Sequence, residues 1–282
     1  MNKRICSFTE YWQAIKSITY SRDEILLFRG HSNHSYILEP SVFRDTERNY
    51  EQKMYREIML QYPEEFKERS HLSNLVKMQH YGGHTRLLDF SRNPLVALLF
   101  ASEAGNKTDG QVIICKVKKE NILHHNSDRA LILSCLPCMS DKDKSEIKEI
   151  CKNITGRITP QKIKKYGAID KMLHEIRGEY PAFECEIVPE DLLSTFFVSP
   201  FKDNERMKLQ DGMFALFGLQ HRKLEDVPGI KIDRINIAVE AKKDILQDLN
   251  LMGISNAKLY SGLERRAMEI SRKRADWIGI DV

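Results

Sequence analysis

The residues best suited to chemistry are concentrated between Gln79 and Ser91, in the stretch QHYGGHTRLLDFS. Hydroxyl groups there can support a ribose, a histidine beside a tyrosine can stack on a base or titrate near neutral pH, and an arginine can meet a phosphate. Polar loops at the mouth of a buried helix commonly carry binding and catalysis, so we expect a site here. Its candidate residues are Gln79, His80, Tyr81, Thr85, Arg86, Asp89 and Ser91.

Arg86 and Asp89 have an alternative role, which is to form a buried ion pair that fixes this loop. Removing one partner of such a pair costs roughly 3–5 kcal/mol, so an inactive Asp89 variant would not by itself demonstrate catalysis. We expect these two residues to be framework. The lining is then expected to come from Gln79, His80, Thr85 and Ser91, although the two hydroxyl residues could instead be turn or cap residues.

A second candidate lies upstream, where the short apolar run Ile25–Phe28 predicts a buried strand that ends at Arg29-Gly30. A guanidinium at a strand end, with Gly30 removing side-chain bulk, can meet a phosphate through two parallel hydrogen bonds. The alternative is a structural arginine paired with Asp89.

Two positions compete to complete the site from a later strand. Glu184 and Glu186 lie two residues apart, on one face of a strand predicted at 183–188. Gln210 lies at the mouth of an apolar strand predicted at 213–217, separated from it by Asp211 and Gly212. A glutamine cannot act as a base, but its amide can orient a ribose hydroxyl or a nucleophile. We favour Gln210 and keep Glu186 as the alternative.

These side chains need helices and strands to position them. Asn93 is a good N-cap and Pro94 suits the first helical position, so an apolar helix is predicted to follow the polar stretch directly. Other strands are predicted at 111–117, 196–198 and 231–239, and other helices begin near residues 7, 47, 70, 140, 242 and 263. Unevenly spaced strands, with most helices in the N-terminal half, favour an α+β fold with a mixed, mostly antiparallel sheet.

The composition describes an ordinary globular chain. Its 282 residues are 41% hydrophobic and 30% charged, which is ample for a sizeable core. The net charge of +4 permits contact with nucleic acid without requiring it. The sequence contains neither an apolar run long enough to span a membrane nor a signal-peptide pattern, so a cytoplasmic protein without membrane contact is expected.

Cysteines and lysines suggest little further chemistry. The six cysteines are scattered, which favours reduced thiols. Cys135 and Cys138 have CxxC spacing, but no second such pair or histidine pair follows, so no metal site is predicted. The lysine-rich region at about 140–172 is predicted to be a solvated helical insertion whose positive face could meet nucleic acid.

Phe28-Arg29-Gly30 begins a series of segments that resembles the FRG domain family, which is named for this tripeptide. The series continues with QHYG and TRLLDFSRNPLVALLFA at 79–101, HEIRGEYPAFECEIVPEDL at 174–192, NERMKLQDGMFALFG at 204–218 and MGISNAKLYSGLE at 252–264. The segments cover most of the chain in the family's order, which implies one FRG-type domain over residues 1–282. His31 departs from the pattern, because FRG-type sequences more often place glutamine there.

The same segments are distantly similar to ADP-ribosyltransferases, which also have an arginine and a glycine at the end of a first strand. In that fold the arginine holds NAD, a hydroxyl residue supports the nicotinamide ribose, and a later glutamate or glutamine orients the reaction. The resemblance implies an ADP-ribosyltransferase-like fold and NAD as substrate. It also implies a protein or nucleic-acid acceptor and, by association, a role in bacterial phage defence or toxicity.

We assign roles to the candidates on this basis. The catalytic set is Arg29, His80, Thr85 and Gln210 or Glu186, and NAD is held by Arg29, Gly30, Gln79, His80, Tyr81, Arg86, Asp89 and Ser91. The alternative is a non-catalytic module that binds a nucleotide or RNA through Arg29, Arg86, His80 and the lysines of 142–171. The oligomeric state is not predicted.

Overall fold

The computed structural model describes residues 2–44, 50–66, 70–103, 107–159, 163, 165–184, 187–199, 210–220 and 223–255. Within them are eight strands: β1 (Asn2–Ile5), β2 (Glu24–His31), β3 (Leu87–Ser91), β4 (Gly110–Lys118), β5 (Ile122–His124), β6 (Thr195–Ser199), β7 (Gly212–Phe217) and β8 (Ile230–Ile237). Ten helices accompany them: α1 (Phe8–Lys16), α2 (Ser41–Arg44), α3 (Glu51–Gln61), α4 (His71–His80), α5 (Pro94–Ser102), α6 (Asp128–Cys135), α7 (Asp141–Asn153), α8 (Gly167–Glu179), α9 (Pro189–Leu193) and α10 (Lys242–Leu251).

All eight strands form one sheet in the order β1-β8-β4-β2-β3-β7-β6-β5. Only the outermost pairs, β1–β8 and β5–β6, are parallel, so the predicted α+β fold with a mixed, mostly antiparallel sheet is confirmed. Among the described helices, six precede residue 140 and four follow it, so the predicted concentration in the N-terminal half is slight.

The sheet is nearly divided at its centre. β2 is in register with β4 over eight residue pairs, from Glu24–Lys118 to His31–Gln111. With β3 it shares the single pair Phe28–Ser91. Beyond that pair, the last three residues of β2 run past β3 without a ladder, which leaves room for side chains and a ligand between the two halves.

Helices cover the two halves separately. α1, α5 and α10 pack on β1, β8, β4 and β2, whereas α3, α4, α6, α7 and α8 pack against one another and against β3, β6 and β7. As predicted, α5 begins with Asn93, whose side chain accepts a hydrogen bond from the main-chain N–H of Leu95, and with Pro94 in the first turn. A third cluster, containing Leu27, Phe90 and Phe197, is formed mainly by strand residues.

Gly30 is required by this packing. A Cβ atom at this position would lie 2.0 Å from the main-chain oxygen of Ala97 and 2.7 Å from the main-chain nitrogen of Ala101. α5 therefore lies directly against the backbone of β2, and only a residue without a side chain permits that contact.

Several boundaries differ from the sequence predictions. β2 does not end at Arg29 but continues through His31, and the predicted loop after Arg86 contains β3. In the segment predicted as a strand at 183–188, Ile187 forms only an isolated bridge with Ile158. Glu186 and the helix predicted from 263 to 275 lie outside the described residues.

The lysine-rich region belongs to a core. α7 buries Ile147 and Cys151, and α8 buries Ile169, Met172 and Ile176, all in the cluster that also contains α4 and α6. Its described part is therefore packed against the rest of the chain rather than solvated on all sides. In the described residues, no helix combines the length and the apolar character needed to cross a membrane.

Candidate functional site

A cavity of about 340 Å³ opens where β2 and β3 separate. Its volume lies in the range of about 300–1,000 Å³ that is usual for small-molecule sites. Apolar residues of α5 form one wall, and the polar lining consists of Arg29, His31, Ser32, Tyr36, Arg44, Asp89, Ser91 and Gln210. Four of the predicted residues, Arg29, Asp89, Ser91 and Gln210, are thus brought together although they lie up to 181 positions apart, and Gly30 lines the same cavity.

Arg29 crosses the gap between the two strands. Its Nη1 donates to the main-chain oxygen of Asp89 at 2.7 Å and lies 3.6 Å from the Asp89 carboxylate. Its Nε donates to Nε2 of His31 at 3.0 Å. In the described part of the chain, Nη2 has no hydrogen-bond partner, so one edge of the guanidinium keeps donor capacity for a ligand. The predicted structural contact with Asp89 is present, and Arg29 also lines the cavity, where its role towards a phosphate stays a prediction.

The electrostatics of the cavity favour an anion. Burial is the main factor that lowers the pKa of Arg29, and repulsion from Arg44 adds to it while Asp89 opposes it. Burial, followed by the charges of Arg29 and Arg44, lowers the pKa of His31 to about 3. His31 is therefore a neutral acceptor for Arg29 at physiological pH. A negatively charged ligand would offset the repulsion between the two guanidiniums.

Gln210 reaches the cavity from the position just before β7. Its main-chain oxygen accepts a 2.5 Å hydrogen bond from the Ser91 hydroxyl, which in turn accepts from the main-chain N–H of Asn93. The Gln210 Nε2 atom is buried without a partner among the described residues. The following residue, Asp211, has a φ of 43°, which is uncommon for a residue other than glycine. The Ser91 hydroxyl is therefore committed to fixing Gln210, whereas the amide of Gln210 is not committed.

Asp89 connects the cavity to α4. Its Oδ1 accepts from Gln79 Nε2 at 2.7 Å, and Gln79 Oε1 accepts from the Thr85 hydroxyl. Thr85 is 1% exposed and its hydroxyl also accepts from the main-chain N–H of Leu87. Asp89 therefore lines the cavity, whereas Thr85 and Gln79 support Asp89 from behind. This assignment reverses the division between lining and framework that the sequence suggested for these three residues.

Arg86 is remote from the cavity and pairs with a different residue from the one predicted. Its Nε and Nη2 donate to the two carboxylate oxygens of Glu51 at 2.8 and 2.6 Å, and Nη1 donates to the main-chain oxygen of Phe217 at 2.8 Å. Lys144 also contacts Glu51, at 2.6 Å. Burial alone would raise the pKa of Glu51, but the two cations outweigh it and lower the pKa to about 2. The predicted pair between Arg86 and Asp89 is therefore wrong, because Arg86 pairs with Glu51 whereas Asp89 contacts Arg29 and Gln79.

Two further candidates, His80 and Tyr81, do not line the cavity. His80 is exposed at the end of α4, and its ring meets the exposed ring of Tyr81 edge-on at 5.5 Å. The positive surface suggested for 142–171 is partly neutralised, since Lys144 contacts Glu51 and Lys171 contacts Asp143 at 2.7 Å. Glu186 lies outside the described residues, so Gln210 is the candidate whose position is given.

Sequence reasoning missed His31, Tyr36 and Arg44. The position of His31 could have been predicted, because it directly follows Arg29-Gly30. An extended strand would place its side chain on the same face of the sheet as that of Arg29. Arg44 is 15 residues downstream in α2, where its Nε and Nη2 both donate to the main-chain oxygen of Glu39. No local pattern links it to Arg29.

Comparison with known proteins identifies a family for one part of the chain. The model of the FRG domain family matches residues 24–110, which extend from β2 to the start of β4. No curated protein and no solved structure matches the chain. The matched region contains every polar residue of the cavity except Gln210.

Proposed function

The chain carries an FRG domain at residues 24–110, and from this premise we propose that the cavity between β2 and β3 binds NAD through its phosphates and transfers ADP-ribose to a protein or nucleic-acid acceptor. One observation carries the binding part. Two arginines, Arg29 and Arg44, converge on one cavity while Arg29 Nη2 has no partner in the described residues. Paired guanidiniums with donors to spare are suited to bidentate recognition of phosphate.

Three sets of lining residues would contact three different parts of NAD. The arginines meet the phosphates, and the Gln210 amide donates to a ribose hydroxyl. Tyr36, half exposed at the rim, offers a ring face to a base or to nicotinamide. His31 holds the Arg29 guanidinium in place through Nε2 and remains neutral. None of these groups needs to form a covalent intermediate.

The reaction would be a substitution at the anomeric carbon of the nicotinamide ribose. The glycosidic bond to nicotinamide breaks, the acceptor nucleophile forms the new bond, and positive charge develops on the ribosyl group between these events. Positioning supplies most of the rate in such a step, and the oxygen atoms of Asp89 and Gln210 are the nearby groups that can stabilise that charge. A role in phage defence or toxicity belongs to the same proposal.

Calorimetry with NAD, with ADP-ribose and with pyrophosphate tests the binding. We expect all three ligands to bind. We also expect Arg29→Met to weaken binding by about 2–5 kcal/mol, as for truncation of a charged hydrogen-bonding partner in a buried site. Arg129→Met removes the same charge from a pair with Asp191, away from the cavity, in which the arginine side chain is 44% exposed, and should leave binding unchanged. Absence of binding by NAD, ADP-ribose and pyrophosphate would refute the proposal.

Release of nicotinamide, followed by chromatography with protein and nucleic-acid acceptors, tests the chemistry. Transfer that disappears in Gln210→Leu supports it. Binding without release points to the second candidate, a non-catalytic nucleotide-binding module, which is favoured by the fact that Asp89 is the one carboxylate among the described lining residues. An RNA-binding surface receives less support, because Arg86 is 2% exposed and fully engaged.

A further inference from the structure

A second cavity, of about 380 Å³, lies between α3, α7 and α8 and shares no lining residue with the first. Cys138, in the short turn after α6, and Glu175, in the middle of α8, contribute to its wall. His71, the first residue of α4, lies behind Cys138. Three elements that are distant in sequence thus bring a thiol, an imidazole and a carboxylate to one place.

The three side chains are arranged as metal ligands would be. One ligand atom from each of His71, Cys138 and Glu175 lies within 4.8 Å of the other two. The Cys138 Sγ atom is 3.3 Å from Nδ1 of His71. Around tetrahedral zinc, with bonds of about 2.0–2.3 Å, ligand atoms lie about 3.5 Å apart, so a modest rotation of Glu175 would close the set.

From this geometry we infer that His71, Cys138 and Glu175 bind one zinc ion, with the fourth coordination position open to the second cavity. Thiolate, imidazole and carboxylate are the ligands that zinc takes in proteins, and three protein ligands with one open position are typical of zinc sites that also hold water or a substrate. A zinc ion with one thiolate and one carboxylate is electrically balanced, which suits a site whose thiol is 6% exposed.

Residues that contact His71 are suited to orient it as a metal ligand. Glu179 accepts from the main-chain N–H of His71 at 2.8 Å, and its carboxylate lies 3.9 Å from Nε2 on the far side of the ring. A carboxylate behind a ligating histidine fixes the ring and makes it a better donor to metal. The Tyr55 hydroxyl lies 3.1 Å from Nδ1 and also has a hydrogen bond with the Asn74 side chain.

Sequence spacing could not find this set. The CxxC pair at 135 and 138 was set aside because no second pair of ligands follows it. The partners come instead from 67 residues upstream and 37 residues downstream of Cys138. Cys135 is not part of the set, since its sulfur is not among the ligand atoms that lie within 4.8 Å of one another.

The test uses the full chain, stripped with a chelator and titrated with Co²⁺ and then Zn²⁺. We expect one metal ion per chain by elemental analysis. Co²⁺ should give thiolate-to-metal charge-transfer absorption that Zn²⁺ abolishes. Cys138→Ser should remove this absorption. Glu179→Gln, which changes only the layer behind His71, should weaken zinc binding by about 10–100-fold.

Two further variants keep the result interpretable. Glu175→Gln alters a partly exposed residue and should weaken zinc binding even if Cys138→Ser fails to fold. Cys6→Ser removes an exposed thiol and should leave zinc binding unchanged. NAD binding at the first cavity is measured in parallel, and its presence or absence does not affect the zinc result.

The rival explanation is a reactive thiol without metal. Hydrogen bonds from Cys135 and, less strongly, from His71 lower the pKa of Cys138 to about 6. If Cys138 is alkylated at the same rate with and without zinc, or if the Co²⁺ absorption survives in Cys138→Ser, the inference is wrong.

Discussion

Arg29 lies in β2 and Arg86 directly precedes the adjacent strand β3. Both are withdrawn from solvent, but the chain surrounds them differently. Glu51, Lys144 and the main-chain oxygen of Phe217 form a closed network around Arg86, whose side chain is 2% exposed. The Arg29 side chain is 17% exposed. It contacts the main-chain oxygen of Asp89 and the neutral ring of His31, and it lies 3.6 Å from the Asp89 carboxylate. The difference separates a saturated framework arginine from one that keeps a donor for a ligand.

Arg86→Met should produce the largest loss of stability. The substitution leaves the Glu51 carboxylate buried with only Lys144 to compensate it, and breaking a buried pair costs about 3–5 kcal/mol. Arg29→Met removes a cation whose charge burial already disfavours, so its free energy of unfolding should fall by less than about 1 kcal/mol. Urea unfolding monitored by circular dichroism measures both.

Arg129→Met is the control, because the Arg129 side chain is 44% exposed and its pair with Asp191 should contribute less than the fully buried pair of Arg86. If Arg29→Met and Arg86→Met destabilise the chain equally, the distinction between the two arginines fails.

The second prediction concerns pH. The folded-state pKa of Glu51 is about 2, below its usual value of 4.5, so the pair contributes its full stability above about pH 4.5 and loses it as the pH falls towards 2. The stability difference between the wild type and Glu51→Gln should therefore shrink across this window. A difference that stays constant from pH 5 to about pH 2 would contradict the assignment of the lowered pKa to Glu51.

Gly30→Ala tests the wall next to Arg29. The added methyl would lie 2.0 Å from the main-chain oxygen of Ala97, so α5 must move away from β2 at a cost of about 1–3 kcal/mol. NAD affinity should fall as well, because Val96, Ala97 and Phe100 of α5 line the cavity.

Gly178→Ala is the matched control, because Gly178 lies in α8 with nothing within 4 Å of the added methyl. This substitution should stabilise the chain by up to about 1 kcal/mol, since alanine is the better helix former. If Gly30→Ala is as well tolerated as Gly178→Ala, α5 does not pack on β2 as described.

The secondary-structure features that the sequence predicts correctly depend on residues that are close together in the chain. The cap at Asn93 and Pro94 and the strands β4, β6 and β7 follow from propensity and apolar patterning over a few residues. β3 was missed because its five residues include Asp89 and follow directly on a polar run. The predicted partner of Arg86 was wrong for a different reason. Spacing suggested Asp89 for Arg86, whereas the tertiary fold brings Glu51 from 35 residues away.

The same limit applies to the site. Arg29 and Gln210 were found because Arg29 follows an apolar run within β2 and Gln210 lies two residues before the apolar strand β7, and neighbouring strands bring such residues into one layer. Arg44 and the zinc set of His71, Cys138 and Glu175 depend on how helices dock, and no periodicity in the sequence encodes that docking. The first cavity is accordingly closer to the sequence prediction than the second.

His31→Gln should have the smallest effect and is the most exacting test of how Arg29 is held. The glutamine oxygen can replace Nε2 as the acceptor for Arg29 Nε, so affinity for NAD should change little. His31→Leu removes the acceptor and should weaken NAD binding by about 3- to 10-fold, the value of one hydrogen bond. Because the pKa of His31 is about 3, affinity should not follow a titration of this residue at neutral pH. If NAD affinity instead changes near the ordinary histidine pKa of about 6.5 in the wild type but not in His31→Gln, the His31 ring is protonated when NAD binds. Arg29 would then be oriented by Asp89 alone.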